Sequence, residues 1–360
     1  MSAAKIVHVV GTGTIGEPLI GLLSTQKKKL GIDEVTFHKK TPLLSDRSKI
    51  NVMIEQGAKF VCDADKKEEF LKLGYHAPSY STLDALEQAT VVIDCTPTGV
   101  GHENKQKYYE KFKHNTLGFI AQGSEFGFGK MYAKGSNDEA LDREKDQFIQ
   151  VVSCNTHNLG ILLKTLGSDA HGVINNVQEA RFVLMRRAND VSQDKSFLPA
   201  PQAGTHEDER FGTHHARDAY HLFKTLGVEL NLYSSAIKLN TQYMHSLWFN
   251  LRLKKPITKD EVVQRLVEHP LVSVTHKRAA NLIFSFGRDH GYFGRILTQT
   301  VASLPTIEVI HGGKEITGFC FTPQDGNSLL STISATLWFM YPNDYEERLS
   351  VFKRYCFQEI

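Results

Sequence analysis

Cysteine is scarce and poorly spaced for structural work. The 360 residues contain five (Cys62, Cys95, Cys154, Cys320 and Cys356), an odd number with neither a CxxC pair nor metal-ligand spacing. That argues against a disulfide framework and a structural zinc and points to a reducing cytoplasm. Excess charge of either sign is also missing. The 42 basic and 40 acidic side chains leave a formal +2, too little to make nucleic acid or an anionic membrane the main partner. Any anion site must be local. No stretch approaches the roughly 18 apolar residues of a membrane helix, and strand-like residues begin at Ile6 with no apolar signal segment before them. The expectation is a cytoplasmic protein, neither exported nor inserted. No internal repeat or low-complexity tract is visible, and the lysines from Lys27 to Lys29 read as a solvated helix end. What is present is a globular balance, 41% hydrophobic and 23% charged, over a length sufficient for two ordinary domains.

The N-terminal region alternates short β-rich runs with helical patterns. Ile6 to Val10, Val35 to Phe37, Lys59 to Cys62, Val91 to Cys95 and Leu117 to Ala121 read as strands of a parallel, doubly wound sheet. Ser81 and Asp84 stand at capping-box spacing ahead of Leu83 and Leu86, which predicts a crossover helix there. Directly after the first strand comes Gly11-Thr12-Gly13-Thr14-Ile15-Gly16, followed by the helical stripe Leu19, Ile20, Leu22, Leu23. In that context Gly11 permits the tight turn, Gly13 lets backbone approach a pyrophosphate, and Gly16 allows close helix packing. Ligands of open α/β sheets lie outside the carboxyl ends of the strands, so Thr96 to Gly99 and Gln122-Gly123-Ser124 become further candidate cofactor contacts. The second strand ends in His38-Lys39-Lys40-Thr41, where an NAD-selective site places an acidic residue. Lys39 and Lys40 suit a 2′-phosphate, so NADP is expected to bind at least as tightly as NAD. The competing reading is a solvated basic turn, with Asp33 or Glu34 as the ribose partner should NAD be preferred.

Further along, Val151-Val152-Ser153-Cys154-Asn155-Thr156 ends a β-branched strand at a thiol, with a helix expected behind it. Most free cysteines are small buried hydrophobes. A thiol at a helix N-terminus, however, feels the positive end of the dipole, which can bring its pKa from about 8.5 to roughly 3.5–7.5. Cys154 is therefore the expected nucleophile, and the other four cysteines are given core or surface roles. A dinucleotide domain followed by such a thiol implies oxidation of an aldehyde through a thioester. After Cys154 the grammar changes to long alternating strands at Val177 to Leu184, Val228 to Tyr233 and Met244 to Leu253, with little βα alternation. Thr258 and Glu261 form a second capping-box pair, before Val262, Val263 and Leu266. A strand from Phe319 to Thr322 precedes a last helical stretch, Leu329 to Tyr341. The expected architecture is α/β: a Rossmann doubly wound domain over 1–153, completed by a returning C-terminal segment over about 325–360, and an α+β catalytic domain over 154–324.

Thioester chemistry needs a base. Among sixteen histidines, His214 and His215 stand in a polar, loop-like stretch after Gly212, His245 lies on a strand, and His157 lies beside the thiol. Arg186 and Arg187 end the strand that begins at Val177. A guanidinium there can hold a phosphate in bidentate fashion, or pair with Asp190.

These strings together resemble the phosphorylating glyceraldehyde-3-phosphate dehydrogenases of the archaeal type. The resemblance rests on GTGTIG at 11–16, TPTGVGHENKQKYYEK at 96–111, VVSCNT at 151–156, RRAND at 186–190, the histidines at 214 and 215, and LKKPITKDEV at 253–262, in shared order along most of the chain. It implies NAD(P) use, glyceraldehyde 3-phosphate and inorganic phosphate as substrates, no metal, and a homotetramer. It also implies roles. Cys154 would be the nucleophile, Ser153 and Asn155 its substrate-contacting neighbours, and His214 or His215 the base. Thr14 and Ile15 would touch the cofactor, Arg186 or Arg187 the ligand, and Gln324 would lie near the nicotinamide. The chain departs from the family at Ser124 and in a segment from His157 to Leu163 that reads as a few residues longer. Two alternatives stand beside this reading. One is an acyl-phosphate reductase of the aspartate-semialdehyde dehydrogenase type, the other a nucleotide-binding protein without turnover.

Overall fold

The computed structural model describes residues 4–123, 125–193, 198–323 and 325–360. The chain divides into two compact units. The first comprises Met1–Lys130, Asp142–Val151 and Ser331–Val351, and the second Met131–Leu141, Val152–Leu330 and Phe352–Ile360. The chain thus enters the second unit earlier, at 131–141, and returns to it at the C-terminus.

In the first unit the order is β1 (Ile6–Val10), α1 (Gly16–Leu30), β2 (Glu34–His38), α2 (Arg47–Glu55), β3 (Lys59–Cys62), α3 (Lys67–Lys72), β4 (Tyr80–Ser81), α4 (Thr82–Gln88), β5 (Val91–Asp94), α5 (Val100–Lys107) and β6 (Gly118–Gln122), followed by β7 (Lys130–Tyr132), of which only Lys130 is counted in this unit, and β8 (Phe148–Val151). The sheet order is β4-β3-β2-β1-β5-β6-β8-β7, and neighbours from β4 through β8 run parallel. This is the doubly wound α/β sheet. Its strands are near-continuous apolar runs because both faces are covered, and Val91, Val92 and Ile93 of β5 are fully buried. The stripe Leu19, Ile20, Leu22, Leu23 of α1 is likewise buried. Lys27, Lys28 and Lys29 fill the last turn of α1, where cations complement the helix dipole, and Gly31 at φ 74 closes it. Ser81 and Asp84 form the capping box of α4.

The second unit continues with α6 (Cys154–Gly167), β9 (Val177–Arg186), β10 (Gln202–Ala203), α7 (His214–Lys224), β11 (Leu232–Lys238), β12 (Ser246–Leu253), α8 (Lys259–Glu268), β13 (Val272–Thr275), α9 (Ala280–His290), β14 (Thr300–Ser303), β15 (Glu308–Ile310), β16 (Glu315–Phe321), α10 (Gly326–Met340) and α11 (Tyr345–Leu349), of which α11 and most of α10 belong to the first unit. Its mixed sheet runs β10-β11-β9-β12-β16-β14-β13, with β15 beside β16. Alternating residues of β9 and β12, such as Phe182, Leu184, Leu247 and Phe249, share one core with Leu159 and Leu163 of α6, Phe223 of α7 and Leu266 of α8. The strand expected from Val228 starts only at Leu232. The amide of Val228 reaches back to the Phe223 carbonyl at 3.2 Å, and Gly227 takes φ 73, so these residues close α7 instead. Thr258 and Glu261 cap α8 as expected. No described helix is long and apolar enough to cross a membrane.

Candidate active site

In the first unit the strand order reverses between β1 and β5, and the glycine loop lies at that point. Gly11 takes φ 98 and donates its amide to the His38 carbonyl at 3.1 Å. A Cβ on Gly16 would stand 2.0 Å from the Gly11 carbonyl oxygen, whereas a Cβ on Gly13 would meet nothing within 4 Å. The chain itself therefore requires a glycine at 16 and leaves open space at 13. Gly13 is exposed, Thr14 and Ile15 are half-buried, and α1 follows at once. These features fit a dinucleotide pyrophosphate against the helix N-terminus. Gly123, at φ 69, ends β6 with its amide on the Val151 carbonyl at 2.8 Å. Ser124 and Gln324, expected to touch the cofactor, lie outside the described residues.

Two expected contacts are already engaged. Thr96 gives both its amide and its hydroxyl to Asp94, a buried carboxylate that also receives Asn104 Nδ2 at 2.8 Å and the Tyr109 hydroxyl. Lys39 is buried with its ammonium on Asp46 Oδ2 at 2.6 Å, so of the two lysines only Lys40 is exposed. The corner after β2 is not purely basic. Asp46 lies eight positions beyond the strand's last residue, His38, and the turn into α2 folds it back. Lys49 of α2, a residue sequence reasoning passed over, bridges Asp46 at 3.1 Å and donates to the Thr12 carbonyl at 3.2 Å. The fallback ribose partners are at the wrong end. Asp33 and Glu34 precede or open β2, where Asp33 accepts the Lys5 amide and Glu34 pairs with Lys59.

In the second unit Cys154 opens α6 with Ser153 as N-cap, as the sequence predicts. Ser153 Oγ accepts the Thr156 amide at 3.3 Å and lies 3.4 Å from His215 Nδ1. His214 and His215 are not in a loop; they begin α7. Ser234 of β11 caps that helix by accepting the Ala216 amide at 3.2 Å, and the two imidazoles lie 3.9 Å apart. His215 is buried, and its Nε2 has no partner among the described residues. The other candidate bases are committed. His245 Nδ1 accepts the Arg187 amide at 3.0 Å, and His157, fully buried within α6, donates Nδ1–H to the Ser153 carbonyl at 2.9 Å. The segment from His157 to Leu163 is simply the buried interior of α6. Asn155 turns inward and accepts the Thr322 hydroxyl at 3.0 Å, while Asn327, at the start of α10, donates to the Cys154 carbonyl at 2.8 Å.

Electrostatics separate the two arginines. Arg187 is buried, on Asp190 at 2.8 Å and Asp325 at 3.4 Å; Asp325, itself buried, takes φ 56. Arg186 is exposed at the end of β9 and is the guanidinium left for an anion. The surroundings of Cys154 work against the low-pKa thiolate that its position at a helix start suggests. Desolvation pushes this thiol up to about 12, the Asp325 carboxylate adding to the rise, and Arg187 and Arg186 offset only part of it. Burial, with help from His214, Arg186 and His245, holds His215 well below the ordinary histidine range. Burial and then Arg186 lower His214 as well. These surroundings favour a neutral thiol at Cys154 and neutral imidazoles at His214 and His215.

No protein-family model matches the chain. The chain is similar to archaeal glyceraldehyde-3-phosphate dehydrogenases. It is 28% identical to the glyceraldehyde-3-phosphate dehydrogenase of Methanococcoides burtonii over 273 residues, covering 74% of this chain and 72% of that one. With that of Archaeoglobus fulgidus it shares 26% over 275 residues, again 74% and 72%, and with that of Pyrobaculum islandicum 24% over 273 residues, 74% and 71%.

Proposed function

We propose that the chain oxidises D-glyceraldehyde 3-phosphate to 1,3-bisphosphoglycerate, reversibly, through a thioester on Cys154, with NADP and also NAD as acceptor. The observation that carries the reading is His215, buried, held well below the ordinary histidine range, with no partner on Nε2 among the described residues, and 3.4 Å from the N-cap hydroxyl that precedes the thiol. A neutral imidazole can take the thiol proton as sulfur bonds to the aldehyde carbon. Because thiol and imidazole both favour their neutral forms at rest, the substrate phosphate assists. An anion on Arg186 relieves the cation that disfavours an imidazolium at His214 and His215. When bound, the nicotinamide cofactor supplies the two-electron acceptor, and Gly11, Gly13, Thr14, Ile15 and Gly16 would hold its pyrophosphate. Inorganic phosphate then attacks the thioester carbon, the C–S bond breaks, and the proton held on His215 returns to sulfur. A cytoplasmic homotetramer belongs to the same proposal; the five free cysteines suit a reducing compartment.

Rapid mixing of enzyme, NADP and glyceraldehyde 3-phosphate tests this. The expected result is an early burst of reduced cofactor, followed by turnover only when phosphate is present. Cys154→Ala should remove the burst and leave cofactor affinity in place, and His215→Asn should slow it roughly 10²–10⁴-fold. Turnover with aspartyl phosphate alone would transfer the chemistry to the aspartate-semialdehyde type, and cofactor binding without any burst would leave a nucleotide-binding protein.

A further inference from the structure

The corner behind the glycine loop carries a charge arrangement that the dinucleotide reading does not use. One carboxylate, Asp46, holds two ammonium groups, Lys39 at 2.6 Å on Oδ2 and Lys49 at 3.1 Å on Oδ1. Lys49 also donates to the Thr12 carbonyl within the loop at 3.2 Å, and Glu17 of α1 approaches the same ammonium at 3.9 Å. The cluster is thus fastened to the loop and sums to zero formal charge, two lysines against two carboxylates. Lys39 depends on this partner, since its side chain is only 9% exposed and a cation so far out of water needs a counter-charge.

Resting on the proposal that the first unit binds a dinucleotide, we infer that Asp46 sets the discrimination between the phosphorylated and unphosphorylated cofactor by neutralising Lys39 and Lys49. With Asp46 in place the two lysines are satisfied, and a 2′-phosphate must compete with a carboxylate already bonded to both. A 2′-hydroxyl faces no such competition. Removing the carboxylate charge leaves two cations against the single, longer contact from Lys49 to Glu17, and Lys39, largely desolvated, then gains most from an incoming anion. Exposed Lys40, the neighbour that looked equally suited to the phosphate, has no part in this exchange.

The test is calorimetric titration of the full-length protein with 5′-AMP, adenosine 2′,5′-bisphosphate, NAD and NADP, which reads the 2′-phosphate without any turnover. Asp46→Asn should tighten adenosine 2′,5′-bisphosphate and NADP at least tenfold while 5′-AMP and NAD change by less than about threefold, the size expected for charge-assisted bonds freed from competition. The gain should shrink in Asp46→Asn/Lys39→Met and with added salt. If unpaired lysines weaken the fold, the prediction survives as a thermal shift, with the bisphosphate raising the melting temperature of Asp46→Asn more than that of the parent. Equal affinities in parent and variant would overturn the inference. So would loss of NAD and 5′-AMP binding with NADP unchanged, because Asp46 would then be the acceptor for the ribose hydroxyl. A parent protein that binds none of the four ligands would instead sink the dinucleotide reading itself.

Discussion

In the first unit the groups offered to a ligand are mostly backbone: a glycine loop, the first turn of α1 and the left-handed Gly123. In the second they are side chains brought from the starts of α6 and α7, the end of β9 and the residue ahead of α10, positions up to 171 residues apart between Cys154 and Asp325. A backbone site depends on what is missing, a Cβ at a few positions. A side-chain site depends on what surrounds each group, and burial can reverse the charge state that local position alone implies. Cys154 is the instance: the N-terminal end of α6 favours a thiolate, yet desolvation and Asp325 hold the proton on sulfur.

The largest test of this contrast lies in the loop. Gly16→Ala drives a methyl group to 2.0 Å from the Gly11 carbonyl oxygen, a backbone atom that cannot swing aside, so the variant should lose several kcal/mol of stability, about 4 or more, and expose its core on mild heating. Gly13→Ala meets nothing within 4 Å. Its melting temperature should match the parent within about 1 °C while NADP affinity falls at least tenfold. Equal stability of the two variants by thermal denaturation would refute the division between a glycine the chain needs and one the ligand needs.

The next effect belongs to the thiol. The rate of Cys154 alkylation by iodoacetamide should climb into the alkaline range, with an apparent pKa above the free-thiol value of about 8.5. Asp325 is the charged group that adds most to the rise. Removing a neighbouring negative charge favours the thiolate, so Asp325→Asn should lower that pKa and speed alkylation at pH 7 about tenfold, one unit corresponding to about 1.4 kcal/mol. A profile already flat at pH 7 in the parent would restore the activated thiolate expected from the sequence.

The same contrast explains which features are legible in the amino-acid sequence alone. The strands of the first unit, the glycine loop, both capping boxes and the start of α6 at Cys154 all depend on residues within a few positions of one another, and all stand within a residue or so of where the pattern puts them. What was illegible depends on tertiary return. Asp46 could not be matched with Lys39 without knowing how the turn into α2 folds back. Arg186 and Arg187 could not be told apart until β9 showed one side chain exposed and the other buried on Asp325. His214 and His215 looked like loop residues because the cap of α7 is supplied from β11, by Ser234, rather than by a residue just ahead of the helix. The strand expected at Val228 lost to the closure of α7 around Gly227.

The smallest expected effect compares one buried aspartate from each unit. Asp94 receives Thr96, Asn104 and Tyr109. Asp218 of α7 is equally buried but has only Arg217, on Oδ1 at 3.0 Å, and its Oδ2 has no partner among the described residues. Burial raises Asp218 from 3.8 to about 6, with Arg217 offsetting only part of the rise. Above that value the carboxylate is charged in both states but poorly solvated only in the folded one. As pH falls through about 6 the folded state takes up the proton first, and the penalty disappears by the unfolded value of 3.8. Asparagine imitates the protonated form at every pH. Asp218→Asn should therefore stabilise the protein at pH 8 by about 1 kcal/mol, the gain of a two-unit shift less the bonds lost to Arg217, and the difference from the parent should shrink towards pH 4. Asp94→Asn, which breaks a carboxylate served by several donors, should destabilise instead. Urea denaturation of the parent and both variants at pH 8 and pH 4.5 measures this; an Asp218→Asn variant destabilised equally at the two pH values would mean that Arg217 supports the fold through that carboxylate and that its charge is well accommodated.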